Sequence, residues 1–237
     1  MRAFSASGFL AVPALLFAIG LAPLAAQESG QQAGHEHGDQ AKQADPDKAV
    51  AGGGSIPAGW TVRTDGAAGN ANVKVVTMGK GMHVTLGPAI ILYQSKHAGN
   101  GAFHTLATFT QTKPSTHPEG YGLFFGGQAL EGAGQKYTYF LIRQDGKYLV
   151  KHREGDKTTD VTKGWVESPA VKKPAGQGSA TNLLEVDAKQ DPSKVVFKVN
   201  SEPVYTLDAK GTDVNGVVGI RVNHNLDVHI EGFDVHR

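Results

Sequence analysis

The sequence predicts an all-β fold, a two-sheet antiparallel β-sandwich of the jelly-roll type, over residues 56–237. From Ile56 onward, short runs in which apolar and polar residues alternate follow one another, rich in Val, Thr, Tyr and Phe. Gly, Pro, Asn and Asp separate these runs, and no segment shows the apolar stripe of an amphipathic helix. About a dozen short strands with turn residues between them are typical of a sandwich or barrel. The predicted strands are 73–78, 83–87, 89–94, 103–110, 121–127, 137–144, 147–153, 182–188, 195–200, 203–207, 216–223 and 227–235.

The clearest local prediction is a β-hairpin over residues 137–153, YTYFLIRQDGKYLVKHR. Asp145-Gly146 lies between two alternating runs, and Asp-Gly is a strong signal for a two-residue hairpin turn. Such a turn pairs Gln144 with Lys147. The face toward the core then carries Phe140, Ile142 and Leu149. The opposite, partly solvated face carries Tyr139, Leu141, Arg143, Tyr148, Val150 and His152. A sheet face of that composition could bind a ligand.

A second hairpin is predicted over residues 195–207, VVFKVNSEPVYTL, with its turn at residues 200–202. Pro203 has no N–H to donate to a β-ladder, so it belongs at the start of a strand or in an edge strand.

The C-terminal stretch, residues 219–237, reads GIRVNHNLDVHIEGFDVHR and predicts a closing hairpin with His224-Asn225 in the turn. A β-bulge at Glu231-Gly232 would place four apolar residues on the core side, because Gly is a usual bulge residue. These are Val228, Ile230, Phe233 and Val235. His229 then points away from the core. His224 and His229 lie on different elements with no third ligand near them, so we expect no metal site here.

The N-terminal residues predict export. Residues 1–26 combine Arg2, an apolar run over residues 9–21 and two alanines before Gln27, which is the layout of a cleaved secretory signal peptide. The apolar run is too short for a membrane span of about 20 residues. Residues 27–55 are polar and rich in Gly, and predict a disordered linker. We therefore expect a periplasmic or secreted protein.

The composition excludes several classes of protein. The chain has no cysteine, so neither disulfides nor a lipid-anchored N-terminus is possible. Cleavage of residues 1–26 would remove one basic residue, Arg2, and leave equal numbers of basic and acidic residues. A neutral chain has no electrostatic footprint for nucleic acid or for an anionic membrane. We expect a single-domain monomer and no cofactor. His35-Glu36-His37 could hold a transition metal weakly, but polar residues in a solvated linker are the favoured explanation, because no third ligand is near. Ca²⁺ or Zn²⁺ is possible but not indicated.

Taken in order, the motifs resemble the concanavalin A-like and laminin-G-like jelly rolls, and most closely the exported bacterial modules grouped with 3-keto-disaccharide hydrolase-like domains. The resemblance covers residues 56–237. The motifs are Pro57-Ala58-Gly59-Trp60, Gly87-Pro88-Ala89, Glu119-Gly120-Tyr121-Gly122-Leu123-Phe124-Phe125-Gly126-Gly127, Gly164-Trp165, Ser168-Pro169-Ala170, Gly216-Val217-Val218-Gly219-Ile220 and Phe233-Asp234-Val235. The resemblance implies this fold. It implies sugar chemistry only as an expectation, because the matching residues are mainly core and turn positions.

Three functions are compatible with these residues. A two-carboxylate glycosidase is disfavoured, because Glu185-x-Asp187 is the nearest fragment of the required motif. A keto-sugar hydrolase or lyase would need a base and a charge-stabilising partner. Its candidate catalytic residues are His117, Glu119, Arg143 and His152.

A carbohydrate- or glycoconjugate-binding module needs only a shaped face of aromatic and hydrogen-bonding side chains. The candidate ligand-binding residues are Tyr121, Gln128, Tyr139, Arg143, Tyr148 and His152. We expect Trp60 and Trp165 to pack at the ends of the sandwich. The sequence favours the binding module over an enzyme, and a non-catalytic envelope or interaction protein remains the third alternative.

Overall fold

The computed structural model describes residues 47–66 and 69–237. Within these residues the chain forms strands and no helix. In particular, the described part of the chain contains no helix of the length and apolar character that a membrane span requires. The predicted signal peptide, most of the predicted linker and His35-Glu36-His37 lie outside the described residues.

Fifteen strands follow one another along the described residues. They are β1 (Thr61–Thr64), β2 (Val73–Met78), β3 (Gly81–Leu86), β4 (Ile90–Asn100), β5 (His104–Gln111), β6 (Gly120–Gln128), β7 (Lys136–Arg143), β8 (Lys147–Glu154), β9 (Lys157–Asp160), β10 (Val166–Glu167), β11 (Ala180–Asp187), β12 (Lys194–Val199), β13 (Glu202–Asp208), β14 (Asn215–Val222) and β15 (Asp227–His236).

The strands form two antiparallel sheets, which confirms the predicted two-sheet β-sandwich. Sheet I has eight strands in the order β1-β4-β14-β6-β7-β8-β10, with β9 also paired to β8. Sheet II has seven strands in the order β13-β12-β11-β5-β15-β3-β2. Several neighbours, such as β4 and β14 in sheet I and β3 and β15 in sheet II, are distant in sequence, so the connections cross between the sheets as in a jelly roll.

The core lies between the two sheets and is built from alternate residues of the strands, because successive side chains of a strand point to opposite faces. Phenylalanines dominate its centre. The ring of Phe197 from sheet II packs 5.2 Å from that of Phe140 and 6.0 Å from that of Phe125, both on sheet I. All three side chains are fully buried. Each contributes about 1.5–3 kcal/mol through removal of its apolar surface from water.

The predicted C-terminal bulge is confirmed, but the predicted closing hairpin is wrong, because β14 belongs to sheet I and β15 to sheet II. The pairing of β15 with β5 shifts register between Glu231 and Asp234, and Gly232 adopts a positive φ of 63°. Val228 and Ile230 are buried before the bulge, and the two apolar residues after it also pack against the core. His229 points away from the core, as predicted.

The predicted register of the β7–β8 hairpin is wrong by one residue. Arg143 pairs with Lys147, so three residues connect the strands instead of two. Gly146, at φ +87°, donates its N–H to the carbonyl of Arg143 at 3.0 Å. A glycine with positive φ at the last position of a three-residue loop is a common alternative to the two-residue turn.

This shift exchanges the faces of every β8 side chain, because the side-chain period of a strand is two. Leu149, predicted to face the core, pairs with Leu141 and faces outward. Tyr148, Val150 and His152 instead lie on the core side of sheet I, with Phe140 and Ile142.

The β12–β13 hairpin is confirmed, with a tighter turn than predicted. Val199 pairs with Glu202, so the turn consists of Asn200 and Ser201, whose φ angles are 51° and 70°. Two positive φ angles are the mark of a type I′ turn. Pro203 lies in β13, an edge strand, as predicted.

Residues 47–55, which the sequence assigns to the linker, run along the sandwich; we call them the N-terminal strap. Gly53 pairs with the edge strand β2 by accepting the N–H of Val75 at 3.1 Å and donating to the carbonyl of Val73 at 3.3 Å. A Cβ at Gly54 would lie 1.9 Å from the carbonyl oxygen of Val75, so the backbones approach to a distance that only glycine permits. The N–H of Lys48 donates to the side chain of Asn225 at 2.7 Å.

Candidate functional site

A second aromatic cluster lies on the outer face of sheet I, the face turned away from sheet II. Alternation along the strands places it there, because the neighbours of its members in sequence lie in the core. Its members are Ile91, Tyr93, Phe124, Leu130, Tyr137, Tyr139 and Leu141, with Trp165 and Val217 partly buried against it. Ring centroids are 5.1 Å apart for Phe124 and Tyr137 and 5.8 Å apart for Tyr137 and Tyr139. This sheet therefore has aromatic side chains on both faces.

Two arginines converge on one carboxylate on this face. Arg221 donates from Nη1 to Oδ1 of Asp65 at 2.9 Å and from Nη2 to Oδ2 at 2.7 Å. Arg153 Nη2 reaches the same Oδ2 at 3.3 Å. Asp65 is held there because it directly follows β1 and its N–H donates to the carbonyl of Ala89 at 2.9 Å. We call Asp65, Arg153 and Arg221 the arginine–aspartate cluster.

Aromatic side chains enclose the arginine–aspartate cluster. Arg221 Nη1 also donates to the hydroxyl of Tyr137 at 2.9 Å, and its guanidinium carbon lies 4.9 Å from the ring centre of Tyr139. Burial by itself would lower the pKa of Arg221, but the carboxylate of Asp65 and the adjacent phenols raise it well above its usual value. Arg221 is therefore permanently charged inside a largely apolar surface.

Several polar atoms on this face have no hydrogen-bond partner among the described residues. They are the hydroxyl of Tyr93, Nε and Nη1 of Arg153, Nε of Arg221 and Oδ1 of Asn223. The four side chains come from β4, β8, the end of β14 and the residue after it, and alternation places all of them on the outer face. Buried polar groups are nearly always satisfied, so a row of unsatisfied ones on one surface is typical of a site completed by water or ligand.

Trp165 stands at the edge of this face. The guanidinium carbon of Arg143 lies 4.4 Å from its ring centre, a distance that permits a cation–π interaction. Below the ring is Gly120, where a Cβ would lie 2.7 Å from Cη2 of Trp165. Glycine at this position lets the indole lie directly on the strand. Trp165 thus packs on the sheet face, whereas Trp60 packs against the main core, 5.3 Å from the ring of Phe233.

The predicted ligand-binding residues do not share one face. Tyr139 and Arg143 lie on the outer face of sheet I. Tyr121 and Tyr148 lie in the main core, where burial raises the pKa of both phenols and Tyr148 donates its hydroxyl to the carbonyl of Val204 at 2.8 Å. Tyr148 lies in the core because the register of the β7–β8 hairpin is shifted by one residue. Tyr121 lies in the core because of its parity on β6.

The other two members of the predicted set, Gln128 and His152, lie beside a separate cleft. His152 lines it, with Nδ1 3.1 Å from the hydroxyl of Thr138, and Gln128 donates to Asp213 at its margin. The cleft has a volume of about 330 Å³, which is at the small end of the range for ligand sites. Its walls are Gly126, Lys136, Thr138, His152, Val161, Leu207, Gly211, Thr212 and Asp213.

The predicted catalytic residues are only partly brought together. Glu119 accepts a 3.4 Å hydrogen bond from Asn223 and precedes Gly120, which pairs with Arg143, so Glu119 and Arg143 lie at the same end of sheet I. His117 lies in the preceding loop, where its carbonyl accepts from Ser115. His152 pairs with Thr138, five positions along β7 from Arg143 and therefore about 17 Å away. The four residues do not form a single acid–base site.

The C-terminal histidines are engaged with carboxylates. His229 Nε2 lies 3.1 Å from Glu231, and its ring stacks on that of His83 at 6.1 Å. His224 Nδ1 lies 2.9 Å from Asp47 of the strap. Among residues 47–66 and 69–237, no group of three or more His, Asp and Glu side chains could hold a metal ion.

Sequence reasoning missed the arginine–aspartate cluster and Tyr93. One signal was present, because Arg221 interrupts the otherwise apolar strand GVVGIRV, where a charge must be paired if it is buried. The partner could not be identified, because Asp65 is 156 positions away.

Two antiparallel sheets around one core, with connections that cross between them, define a concanavalin A-like jelly roll. The chain is similar in structure to the carbohydrate binding module CBM66 from Bacillus subtilis, with a TM-score of 0.54 and 11% identity over 78% of this chain and 99% of that chain. It is also similar to a Bacillus subtilis protein of unknown function with a galectin-like fold, with a TM-score of 0.51 and 10% identity over 75% of this chain and 88% of that one. At such identities these similarities show the fold alone. No known family model matches the chain, and a search of curated proteins finds no relative.

Proposed function

We propose that the protein is an exported carbohydrate-binding module and that its binding surface is the outer face of sheet I. The observation that carries the proposal is the set of unsatisfied polar atoms on that face, contributed by Tyr93, Arg153, Arg221 and Asn223. Saccharides present rows of hydroxyls that both donate and accept, and could complete these groups.

The aromatic side chains among these polar atoms support the same function. Trp165, which is only partly buried, contributes a ring beside a charged group, and apolar sugar C–H surfaces pack on such rings while hydroxyls reach the polar atoms. Both arginines are fixed by Asp65, so the hydrogen-bond donors are preorganised, which reduces the entropy lost on binding.

The test is calorimetric titration of the full chain with a panel of neutral and acidic oligosaccharides, comparing Tyr93→Phe with Tyr148→Phe. Both variants lose one hydroxyl, but only Tyr93 has its hydroxyl on the outer face. We expect Tyr93→Phe to weaken saccharide binding by about 2- to 12-fold, the value of one hydrogen bond. Tyr148→Phe should bind as wild type. Equal affinities for all three proteins, or no binding of any oligosaccharide, would contradict the proposal.

A keto-sugar hydrolase or lyase is the second candidate, and one observation favours it. Glu119, which immediately precedes β6, and Arg143, on the neighbouring β7, lie at the same end of sheet I, where a carboxylate and a guanidinium could act on a bound sugar. Product analysis after prolonged incubation with each bound oligosaccharide tests this. Turnover that Glu119→Gln abolishes, with binding retained, would establish the enzyme. Binding without turnover supports the module.

A further inference from the structure

The arginine–aspartate cluster carries more positive than negative charge. Two guanidiniums, Arg153 and Arg221, share the single carboxylate of Asp65. Both arginines are only 5% exposed, and within residues 47–66 and 69–237 no second carboxylate lies at ion-pair distance from either. A buried charge without a counter-charge is costly, so this arrangement is unfavourable unless something else neutralises it.

The phenols beside the cluster and the nearby carboxylate of Asp160 do not supply the missing negative charge. Burial raises the pKa of Tyr137 and of Tyr139, so both phenols are neutral at physiological pH. Asp160 lies 3.0 Å from Lys151 and is therefore engaged with another cation. Neither the two phenols nor Asp160 therefore supplies a free negative charge to the cluster.

The unsatisfied atoms show what chemistry would complete the cluster. Nε and Nη1 of Arg153 and Nε of Arg221 are hydrogen-bond donors that cannot accept. A neutral hydroxyl would satisfy the hydrogen bonds but leave the excess charge in place. An oxyanion accepts several N–H groups and also neutralises the charge, and guanidinium–oxyanion hydrogen bonds are about twice as strong as neutral ones.

We propose that the saccharide bound by the outer face of sheet I carries an anionic substituent, a carboxylate or a sulfate ester, which Arg153 and Arg221 bind together. This inference rests on the proposed carbohydrate-binding function and specifies its ligand. Asp65 then has a positioning role, because it fixes both guanidiniums without contacting the saccharide.

The test uses matched acidic and neutral ligands with the full chain. Oligogalacturonate is compared with its methyl ester, and a sulfated galactan with the desulfated polymer, by calorimetric titration at two salt concentrations. We expect at least one acidic ligand to bind more than about tenfold tighter than its neutral counterpart. Tighter binding of oligogalacturonate would identify the anion as a carboxylate. Tighter binding of the sulfated galactan would identify it as a sulfate.

Variants assign the effect to the cluster. Arg153→Gln should remove the preference for the acidic ligand, and Arg153→Lys should keep part of it. Lys198→Gln, which changes the net charge equally but lies on sheet II, should bind as wild type. Circular dichroism shows whether each variant is folded. If Arg153→Gln does not fold, Arg153→Lys still tests the inference.

The outcomes separate this inference from the proposed function. Equal affinity for acidic and neutral saccharides would refute the anionic ligand and leave the binding module standing. No binding of any saccharide would refute both. An acidic preference that Arg153→Gln retains and Lys198→Gln loses would place the anion elsewhere and refute the inference.

Discussion

Replacing Asp65 by alanine should destabilise the protein far more than the loss of a surface ion pair. The substitution leaves the guanidiniums of Arg221 and Arg153 without a carboxylate, while each side chain is only 6% exposed. Removing one partner of a buried ion pair costs about 3–5 kcal/mol, because the remaining charge stays desolvated. For a domain of this size that corresponds to a fall in melting temperature of about 6–20 °C.

The measurement is urea unfolding followed by tryptophan fluorescence and circular dichroism, with the two probes required to coincide. Glu167→Ala is the control, since its pair with Lys173 is 3.6 Å long and both side chains are more than half exposed. It should change stability very little. Removing Arg221 together with Asp65 should recover part of the loss, because only one guanidinium then lacks a counter-charge.

A loss of stability in Asp65→Ala no greater than that in Glu167→Ala would refute this expectation. That result would mean that the arginine–aspartate cluster is hydrated in the native state, and the charge argument for an anionic ligand would lose its basis.

Three other perturbations have expected outcomes. Burial and the neighbouring Lys96 lower the pKa of His97 in the folded protein, so this histidine takes up a proton more readily in the unfolded chain. The stability of the fold should therefore decrease as the pH drops from 7 through 6.5, the ordinary pKa of histidine. His97→Gln should make that fall shallower in urea titrations, and curves parallel to wild type would contradict this. Gly54→Val should detach the strap and lower the melting temperature, because its Cβ would lie 1.9 Å from the carbonyl of Val75; an unchanged melting temperature and unchanged hydrogen exchange at Val75 would argue against the contact. Phe197→Ala should cost about 3–5 kcal/mol in urea unfolding, as expected for a fully buried ring; a cost near 1 kcal/mol would mean that the core closes around the gap.

The fold was predictable because it depends on local pattern. Period-two alternation and turn residues indicate strands wherever they occur, and Gly232 marked the bulge that keeps Phe233 on the core side. The register of the β7–β8 hairpin was not predictable in this way. Asp145-Gly146 fits both a two-residue and a three-residue connection, and the choice between them decides which face every β8 side chain occupies.

The candidate site was predictable only in part. The sequence predicts that Tyr139 and Arg143 share one ligand face, because both lie on one strand with the same parity. The arginine–aspartate cluster depends on contacts between β1, β8 and β14, which no local pattern specifies, so its geometry follows only from the sheet order.

The N-terminal strap has a practical consequence for the length of chain that can be studied. The edge strand β2 would otherwise offer the N–H of Val75 and the carbonyl of Val73 for pairing with another strand, including β2 of another molecule. A fragment starting at Ile56 would lack Gly53, which occupies both groups. Such a truncated fragment should self-associate and precipitate more readily than the chain that retains residues 47–55, although no core residue has been removed.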